Sequence, residues 1–145
     1  MAKFKYKFES VKKIKETIEK KVQKEISLID LEIEEVNNSF REILAEKEAY
    51  RKSIEVRTCL KASELQFHDD AEYLLDLQLE KLLDELNQLR LKRENKILEL
   101  AQKTKEHKIF EYLEERHYEE FLIDQNQIEQ KEIDEIATKK FAREA

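Results

Sequence analysis

The chain has 145 residues, of which 43% are charged and 40% hydrophobic, and it contains neither glycine nor proline. A protein of this length ordinarily has about ten glycines and about seven prolines, which serve tight turns and helix ends. Their absence excludes glycine-rich nucleotide loops and disfavours sheets and barrels, while the high charge disfavours a globule with a thick core. The sequence therefore predicts long helices that bury only a narrow apolar stripe.

The net charge is −6, and it is unevenly distributed. Residues 1–24 carry nine lysines and three glutamates, whereas residues 106–145 carry six basic and twelve acidic side chains. Oppositely charged ends would lie side by side in a hairpin, which favours antiparallel pairing. We expect no nucleic-acid binding, because the chain is acidic overall and its basic start lacks arginine.

Residues 3–8 alternate lysine with Phe4, Tyr6 and Phe8. Six residues without a partner strand do not hold a strand, so this segment is interpreted as a basic, aromatic lead-in to the first helix. We expect no direct membrane insertion, because no apolar run approaches the roughly 20 residues of a membrane span. The start also lacks the apolar region of a signal peptide.

Helix one is expected from about residue 8 to about residue 60. Its apolar positions recur in alternating steps of four and three residues, with one polar interruption at Lys47. This rhythm is the seam of a coiled coil. The seam comprises Val22, Ile26, Ile29, Ile33, Val36, Phe40, Ile43, Lys47, Tyr50 and Ile54.

The seam fails between Arg57 and Tyr73, which predicts a hairpin tip at about residues 61–69. Ser63 precedes Gln66 by three positions and Asp69 precedes Glu72 by three, and both pairs resemble capping boxes. Asp69 or Asp70 is therefore expected to cap the second helix.

Helix two is expected over about residues 70–140. Its seam opens on five leucines and then weakens; the expected positions are Leu75, Leu79, Leu82, Leu86, Leu89, Arg93, Ile97, Leu100, Thr104, His107, Phe110, Leu113, Phe121, Ile128, Ile133 and Ile136. Because helix two is the longer, its C-terminal part should extend past helix one or bend back. The predicted fold is all-α, a long antiparallel two-helix coiled-coil hairpin in a single elongated domain, residues 1–145, that is a monomer in isolation.

We expect no enzymatic activity, no metal and no cofactor. Glu114-x-x-His117 matches one half of a di-iron motif, but such sites need ligands from four helices, so these side chains are interpreted as a solvated face. The paired acidic residues lack the pocket that would desolvate an acid/base dyad. The single cysteine, Cys59, permits no internal disulfide and fits a reducing cytoplasm.

Four stretches resemble the flagellar FliJ family. The closing stretch Gln127–Arg143 has the form Gln-Lys-x-hydrophobic-Asp-Glu followed by small and basic residues, and the opening Phe4-x-Tyr6-x-Phe8-Glu9-Ser10-Val11 is similar to the family's start. Glu48-Ala49-Tyr50-Arg51 and Ala71-Glu72-Tyr73-Leu74-Leu75 resemble its landmarks on either side of the tip. The chain departs from many members at the tip, where Lys61-Ala62-Ser63 stands in place of a glycine.

The resemblance implies a non-enzymatic, cytoplasmic component of the flagellar type III export apparatus, peripheral at the cytoplasmic face of the inner membrane. Such a protein would act as a central stalk and adaptor that binds the hexameric export ATPase and the membrane export gate, and it would escort export chaperones. The implied ATPase-binding residues are Phe4, Phe8, Val11, Gln130, Lys131, Asp134, Glu135 and Arg143. The implied gate-binding residues are Tyr50, Tyr73 and Leu77.

Three alternatives stay open. One is a general coiled-coil chaperone or scaffold that uses the seam in a dimer or for client helices. Another is the equivalent stalk of a virulence-type secretion system. A third is a ligand- or metal-binding bundle formed by oligomerisation.

Overall fold

The computed structural model describes residues 2–144, which form two α-helices and no strand. α1 spans Glu9–Glu55 and α2 spans Ala62–Glu144, and residues 2–8 and 56–61 lie outside the helices. Both helices run uninterrupted because the chain has no glycine or proline to break them. The predicted all-α fold of two long, mutually packed helices is confirmed.

The turn between the helices occupies residues 56–61. It therefore lies earlier in the chain than the predicted tip at 61–69. The amide of Arg57 donates to the carbonyl of Ile54 at 3.1 Å, which closes α1 with a tightened final turn. The amides of Glu64 and Leu65 both donate to the carbonyl of Lys61, so Lys61 holds the N-cap position of α2. Because α2 already begins at Ala62, Asp69 lies inside the helix and does not cap it. The residues from Ala62 to Asp69 include neither glycine nor proline, so none of them prevents this early start.

Contacts group the chain into two compact units, so the single elongated domain stays a prediction. One unit is residues 21–100, and the other joins residues 1–20 to residues 101–145, of which 2–20 and 101–144 are described.

In the unit of residues 21–100, α1 and α2 pack antiparallel through a narrow seam. Every seam position predicted for α1 from Val22 to Ile54 is buried or half-buried. The most deeply buried side chains are Val22, Ile29 and Leu86. Burial of a single stripe is what coiled-coil packing requires, and it explains how so charged a chain holds its fold.

Several seam positions of this unit are basic and reach a carboxylate on the facing helix. Lys47 Nζ pairs with Asp76, Arg93 pairs with Asp30, and Lys96 Nζ donates to Glu25 Oε2 at 2.7 Å. The long aliphatic stems cover the seam while the charged heads remain at its edge.

The seam positions of α2 keep their spacing of four and three residues even where the residues at those positions are no longer apolar. From Leu89 the half-buried positions are Arg93, Lys96 and Leu100, in steps of four, three and four. The prediction of Ile97 as a seam residue is wrong, because Ile97 is 40% exposed and Lys96 takes its place. The register of the preceding leucines, not the polarity of each residue, decides which side chain faces α1.

In the unit of residues 2–20 and 101–144, the seam of α2 ends at Gln125. Ile128, Ile133 and Ile136 were predicted to continue it, and all three are exposed. Every residue of 126–144 is exposed, so we call this helical segment the C-terminal overhang. It extends past the described N-terminal residues, which leave it no facing segment to pack on.

Candidate partner-binding surfaces

The N-terminal segment, residues 2–8, is non-helical and lies against α2, where its aromatic side chains form a cluster that we call the aromatic clasp (Phe4, Tyr6 and Phe8). The Tyr6 hydroxyl donates a 2.8 Å hydrogen bond to the carbonyl oxygen of Phe110, and Tyr6 is buried. The Phe4 ring packs edge-on against Tyr118, with ring centroids 5.3 Å apart. Edge-to-face pairs of this kind add to the stability that burial alone provides.

His117 completes the aromatic clasp from the α2 side. Its ring centroid lies 5.8 Å from that of Tyr6 and 6.1 Å from that of Phe8. The interpretation of His117 as part of a solvated face is therefore wrong. The spacing that resembled a di-iron half-site instead places His117 among aromatic rings.

Ion pairs flank the clasp and join lysines at the start of α1 to glutamates of α2. Lys12 Nζ pairs with Glu114, and the hydrogen bond between them raises the pKa of Lys12 above its ordinary value. Lys15 Nζ donates to Glu106 Oε2 at 3.1 Å, and this hydrogen bond lowers the pKa of Glu106. The opposite charges noted in the sequence thus meet across the two helices.

A polar layer interrupts the seam of this unit at His107. Its Nδ1 lies 2.8 Å from Glu19 Oε2 and its Nε2 lies 3.3 Å from Glu111 Oε1. Thr104 donates a 3.3 Å hydrogen bond to the other oxygen of Glu19. Neither Glu19 Oε2 nor His107 Nε2 makes a well-aligned hydrogen bond within residues 2–144, so the layer is only partly satisfied.

The C-terminal overhang carries the second half of the residues implied for ATPase binding: Gln130, Lys131, Asp134, Glu135 and Arg143. All five are exposed. Gln130 Nε2 donates to Asp134 Oδ1 at 3.2 Å, one turn along the helix. No residue of the described chain packs on this segment, so its side chains are accessible.

The structure separates the residues implied for ATPase binding into two groups. Phe4 and Phe8 are half-buried in the aromatic clasp, and Val11 is half-buried on the first turn of α1. Phe4 meets α2 at Tyr118 and Phe121, before the overhang begins. The aromatic group therefore holds this unit together, and the overhang offers the accessible surface.

The residues implied for gate binding divide in the same way. Tyr50 is half-buried in the seam, with its ring centroid 4.6 Å from that of His68. Tyr73 and Leu77 are exposed on α2 and lie one helical turn apart on the same face. Tyr73 and Leu77 are thus accessible, whereas Tyr50 packs against His68 between the helices.

Sequence reasoning missed further exposed apolar side chains near the turn, namely Val56, Leu65, Phe67 and Leu74. Val56 is 81% exposed and Phe67 is 66% exposed. The available signal was that all four fall outside the four-three rhythm while being apolar. Leu74 directly follows Tyr73, so it adds to the exposed apolar area of the helix there.

Two other kinds of site are not found within residues 2–144. No group of three or more His, Cys, Asp or Glu side chains in this range has an arrangement that could hold a metal ion. None of the described helices combines the length and apolar character needed to cross a membrane.

Comparison with protein families gives a match that covers residues 4–145, to the family described as the flagellar FliJ protein. Neither the curated proteins nor the solved structures include a match to the chain. The family match includes both the aromatic clasp and the C-terminal overhang, which carry the opening and closing motifs. The chain therefore belongs to the FliJ family, a family of non-enzymatic components of the flagellar export apparatus.

Proposed function

We propose that this protein is the central-stalk and adaptor component of flagellar type III export, and that it binds the hexameric export ATPase through the C-terminal overhang. The observation that carries the proposal is the exposure of every residue from Asn126 to Glu144 on a continuous helix. A helix that projects past the segment it packs on can enter the pore of a ring, because none of residues 2–125 packs on it there and makes it wider. Its polar contacts suit a weak and reversible interface.

The overhang supplies both apolar and charged groups for this docking. Ile133, Ile136 and Phe141 are apolar and exposed, and Asp134 and Lys140 lie beside them on the helix. An interface of exposed apolar anchors with a charged rim is typical of protein docking sites. Binding there would promote assembly of the ATPase ring and couple it to export.

A second surface is proposed for the membrane export gate. Tyr73 and Leu77 lie exposed on one face of α2, with Leu74 beside them. Aromatic and leucine side chains that are exposed together provide the apolar area that partner recognition uses. This contact would place the protein at the cytoplasmic face of the inner membrane, with export chaperones as further partners.

The test is ATP hydrolysis by the cognate flagellar export ATPase as the full chain is titrated in. We expect saturable stimulation at about one chain per ring. A chain that ends after Gln125 should lose the stimulation, because it lacks the overhang but keeps the seam and the clasp. Circular dichroism of the shortened chain checks that the remaining helices are intact.

The matched control exchanges exposed residues of the gate surface. Tyr73→Ala with Leu77→Ala should leave ATPase stimulation unchanged and should weaken binding to the gate protein. Undiminished stimulation by the chain that ends after Gln125 would contradict the ATPase assignment. No stimulation by the full chain would favour the scaffold alternative, and stimulation of only a virulence-type ATPase would favour that system.

A further inference from the structure

The first turns of α1 pack apart from the rest of that helix. α1 is continuous over Glu9–Glu55, yet the two compact units divide it after Lys20. The part before this division groups with the non-helical segment, and we call the two together the N-terminal arm, residues 2–20. In its unit the arm packs on α2 through contacts that extend from Phe4 to Glu19. One uninterrupted helix therefore takes part in two separately packed units.

The half-buried side chains of α1 within the arm are mostly charged. In residues 9–20 no side chain is buried, and only two of the half-buried ones, Val11 and Ile18, are apolar. The remainder of α1 buries Val22 and Ile29, each 3% exposed. Because the burial of apolar area supplies most of the free energy that holds packed helices together, residues 9–20 are held more weakly than the residues that follow them.

The polar layer lies at the inner end of the arm. It contains Glu19 and His107, and Glu19 Oε2 and His107 Nε2 lack a well-aligned hydrogen bond within residues 2–144. A partly satisfied polar pair adds little to the stability of the packing. The apolar contacts of α1 are therefore interrupted between Ile18 and Val22. An interruption of this kind is where one cooperative opening can end and another can begin.

The aromatic clasp fixes the outer end of the arm. Tyr6 is the one buried side chain that the structure describes in this unit, and its hydroxyl donates to the carbonyl of Phe110. Between the clasp and the polar layer, Lys12 and Lys15 form ion pairs with α2 that stay partly exposed to solvent. Ion pairs with this exposure contribute little stability. Release of the clasp should therefore free the arm along its whole length, not residue by residue.

We propose that the N-terminal arm is a strap that opens from α2 as one cooperative unit while residues 21–100 stay packed. The open state breaks the clasp and the ion pairs of the arm, and it leaves the apolar seam from Val22 onward intact. Opening uncovers the α2 side chains on which the arm lies, among them Phe110, His117 and Phe121.

Opening also changes how much of α2 is available to a partner. With the arm closed, only the C-terminal overhang lacks a facing segment, and with the arm open this stretch begins near Lys103, the first half-buried residue of α2 in this unit. At ~1.5 Å per residue, the stretch lengthens from about 28 Å to about 63 Å. Under the proposed function, the strap would set how far α2 can enter the ATPase ring. Only this consequence rests on the proposed function; the opening itself does not.

The test is hydrogen exchange of the full chain, measured by mass spectrometry on overlapping fragments of α1. The amides of residues 13–20 should share one level of protection, at least about tenfold below that of residues 22–47, because residues 9–20 bury no side chain as deeply as Val22 or Ile29. The change should be a step near residue 20. Equal protection of both ranges would show that α1 opens as a whole, and a gradual decline toward residue 13 would show fraying of the helix end. Either result overturns the proposal.

Two conservative variants locate the boundary of the opening. Ile29→Val should lower the protection of residues 22–47 by about two- to tenfold and leave that of residues 13–20 unchanged, because the arm opens without breaking the contacts of Ile29. Tyr6→Phe removes the hydrogen bond of the clasp and should lower protection by about fivefold, evenly from residue 13 to residue 20. It should lower the protection of residues 22–47 by the same factor, because complete unfolding includes the opening of the arm.

Tyr112→Phe is the matched control, since Tyr112 is exposed in the same unit, and it should change the protection of neither range. The proposal is wrong if Ile29→Val lowers the protection of residues 13–20 as much as that of residues 22–47. An effect of Tyr6→Phe that disappears toward residue 20 contradicts it as well. ATPase stimulation is a separate measurement. A chain whose arm opens but that does not stimulate the ATPase would keep this inference and remove the proposed function.

Discussion

Tyr6 is the residue that fixes the non-helical N-terminal segment to α2. It is the most buried of the clasp residues, and its hydroxyl donates to the Phe110 carbonyl at 2.8 Å. Its burial, with some help from the nearby charge of Glu114, raises the pKa of this hydroxyl, so the group stays a donor at neutral pH. The hydrogen bond therefore fixes the position of the N-terminal segment along the helix.

Tyr6→Phe is expected to lower the free energy of unfolding by about 1 kcal/mol, because it removes this hydrogen bond and keeps the ring. The measurement is urea unfolding followed by circular dichroism. Tyr112→Phe is the control, since Tyr112 is 63% exposed, and it should change stability by less than about 0.5 kcal/mol. Equal effects of the two substitutions would show that the clasp does not hold the segment.

The alternation of Phe4, Tyr6 and Phe8 is visible in the sequence, but the surface on which these rings pack cannot be predicted from it. A period of two is typical of a strand, and because no partner strand is present, the sequence predicts a lead-in to helix one. The structure supplies a different partner, the aromatic side chains of α2 around His117. Such a contact between residues more than a hundred positions apart leaves no local signal in the sequence.

At the scale of the helix, the α1 seam is the best predicted element of the fold. Its rhythm alone identifies the buried positions, because any helix with this period must turn the same face to its partner. In α2 the rhythm persists through Arg93, Lys96 and His107, where apolarity no longer marks it. A prediction based on apolar residues therefore chose Ile97, whereas one based on the register of the leucines would have chosen Lys96.

The polar layer of Glu19 and His107 is expected to cost stability. Replacing both residues by leucine should raise the free energy of unfolding by ~1–3 kcal/mol, because apolar packing replaces a partly satisfied polar pair. Thermal unfolding by circular dichroism measures the change.

Glu19→Leu alone should be less stable than the double variant, since it leaves His107 facing an apolar side chain. Glu16→Ala, which removes an ion pair with Lys20 that is more exposed than the polar layer, is the control and should have little effect. If the double variant unfolds at a lower temperature than wild type, the polar layer stabilises the fold more than two packed leucines do.

The position of the turn between the helices is predicted wrongly because of its local backbone conformation. No described residue has a positive φ, so the turn at 56–61 is built without the conformation that glycine would mark. Lys61 caps α2 through its backbone and not through a side chain, which removes the usual sequence signal. The capping-box spacing instead predicts a cap at Asp69 or Asp70, although both residues lie inside α2.

Across the molecule, charge complementarity between helices links stability to pH. Lys96 and Lys15 donate hydrogen bonds to Glu25 and Glu106, which lowers the pKa of both carboxylates below 4.5. Their contribution is present above pH 4.5 and is lost as the pH falls through the lowered pKa values. Lys96 itself has a pKa raised above 10.5 by Glu25, so its contribution is lost as the pH rises through that raised value.

The difference in free energy of unfolding between wild type and Glu106→Gln should therefore be constant from neutral pH down to about 4.5 and should shrink below it. High salt should reduce the difference at neutral pH, because these pairs are partly exposed. Glu94→Gln, on the exposed outer face of α2, serves as the control and should show no such pH dependence. An effect of Glu106→Gln that is equal at pH 3 and pH 7 would contradict the assignment.

The sequence predicted the helices, their antiparallel pairing and the family, because these follow from period, charge and whole-chain motifs. It could not divide the implied partner-binding residues into packed and accessible ones. Phe4 and Gln130 belong to the same implied set, yet one lies in the clasp and the other on the overhang. That distinction depends on where α2 extends past the N-terminal residues that pack on it, and only the folded chain shows this position.

The position of Cys59 makes the protein convenient for spectroscopy. It is the only cysteine in the sequence, it is exposed, and it lies in the turn at 56–61 outside both helices. A thiol-reactive fluorophore would therefore attach at one known place without engineered cysteines. A fusion tag at either end of the chain would instead crowd the clasp or the overhang, so an intact chain labelled at Cys59 is the suitable reagent for following assembly.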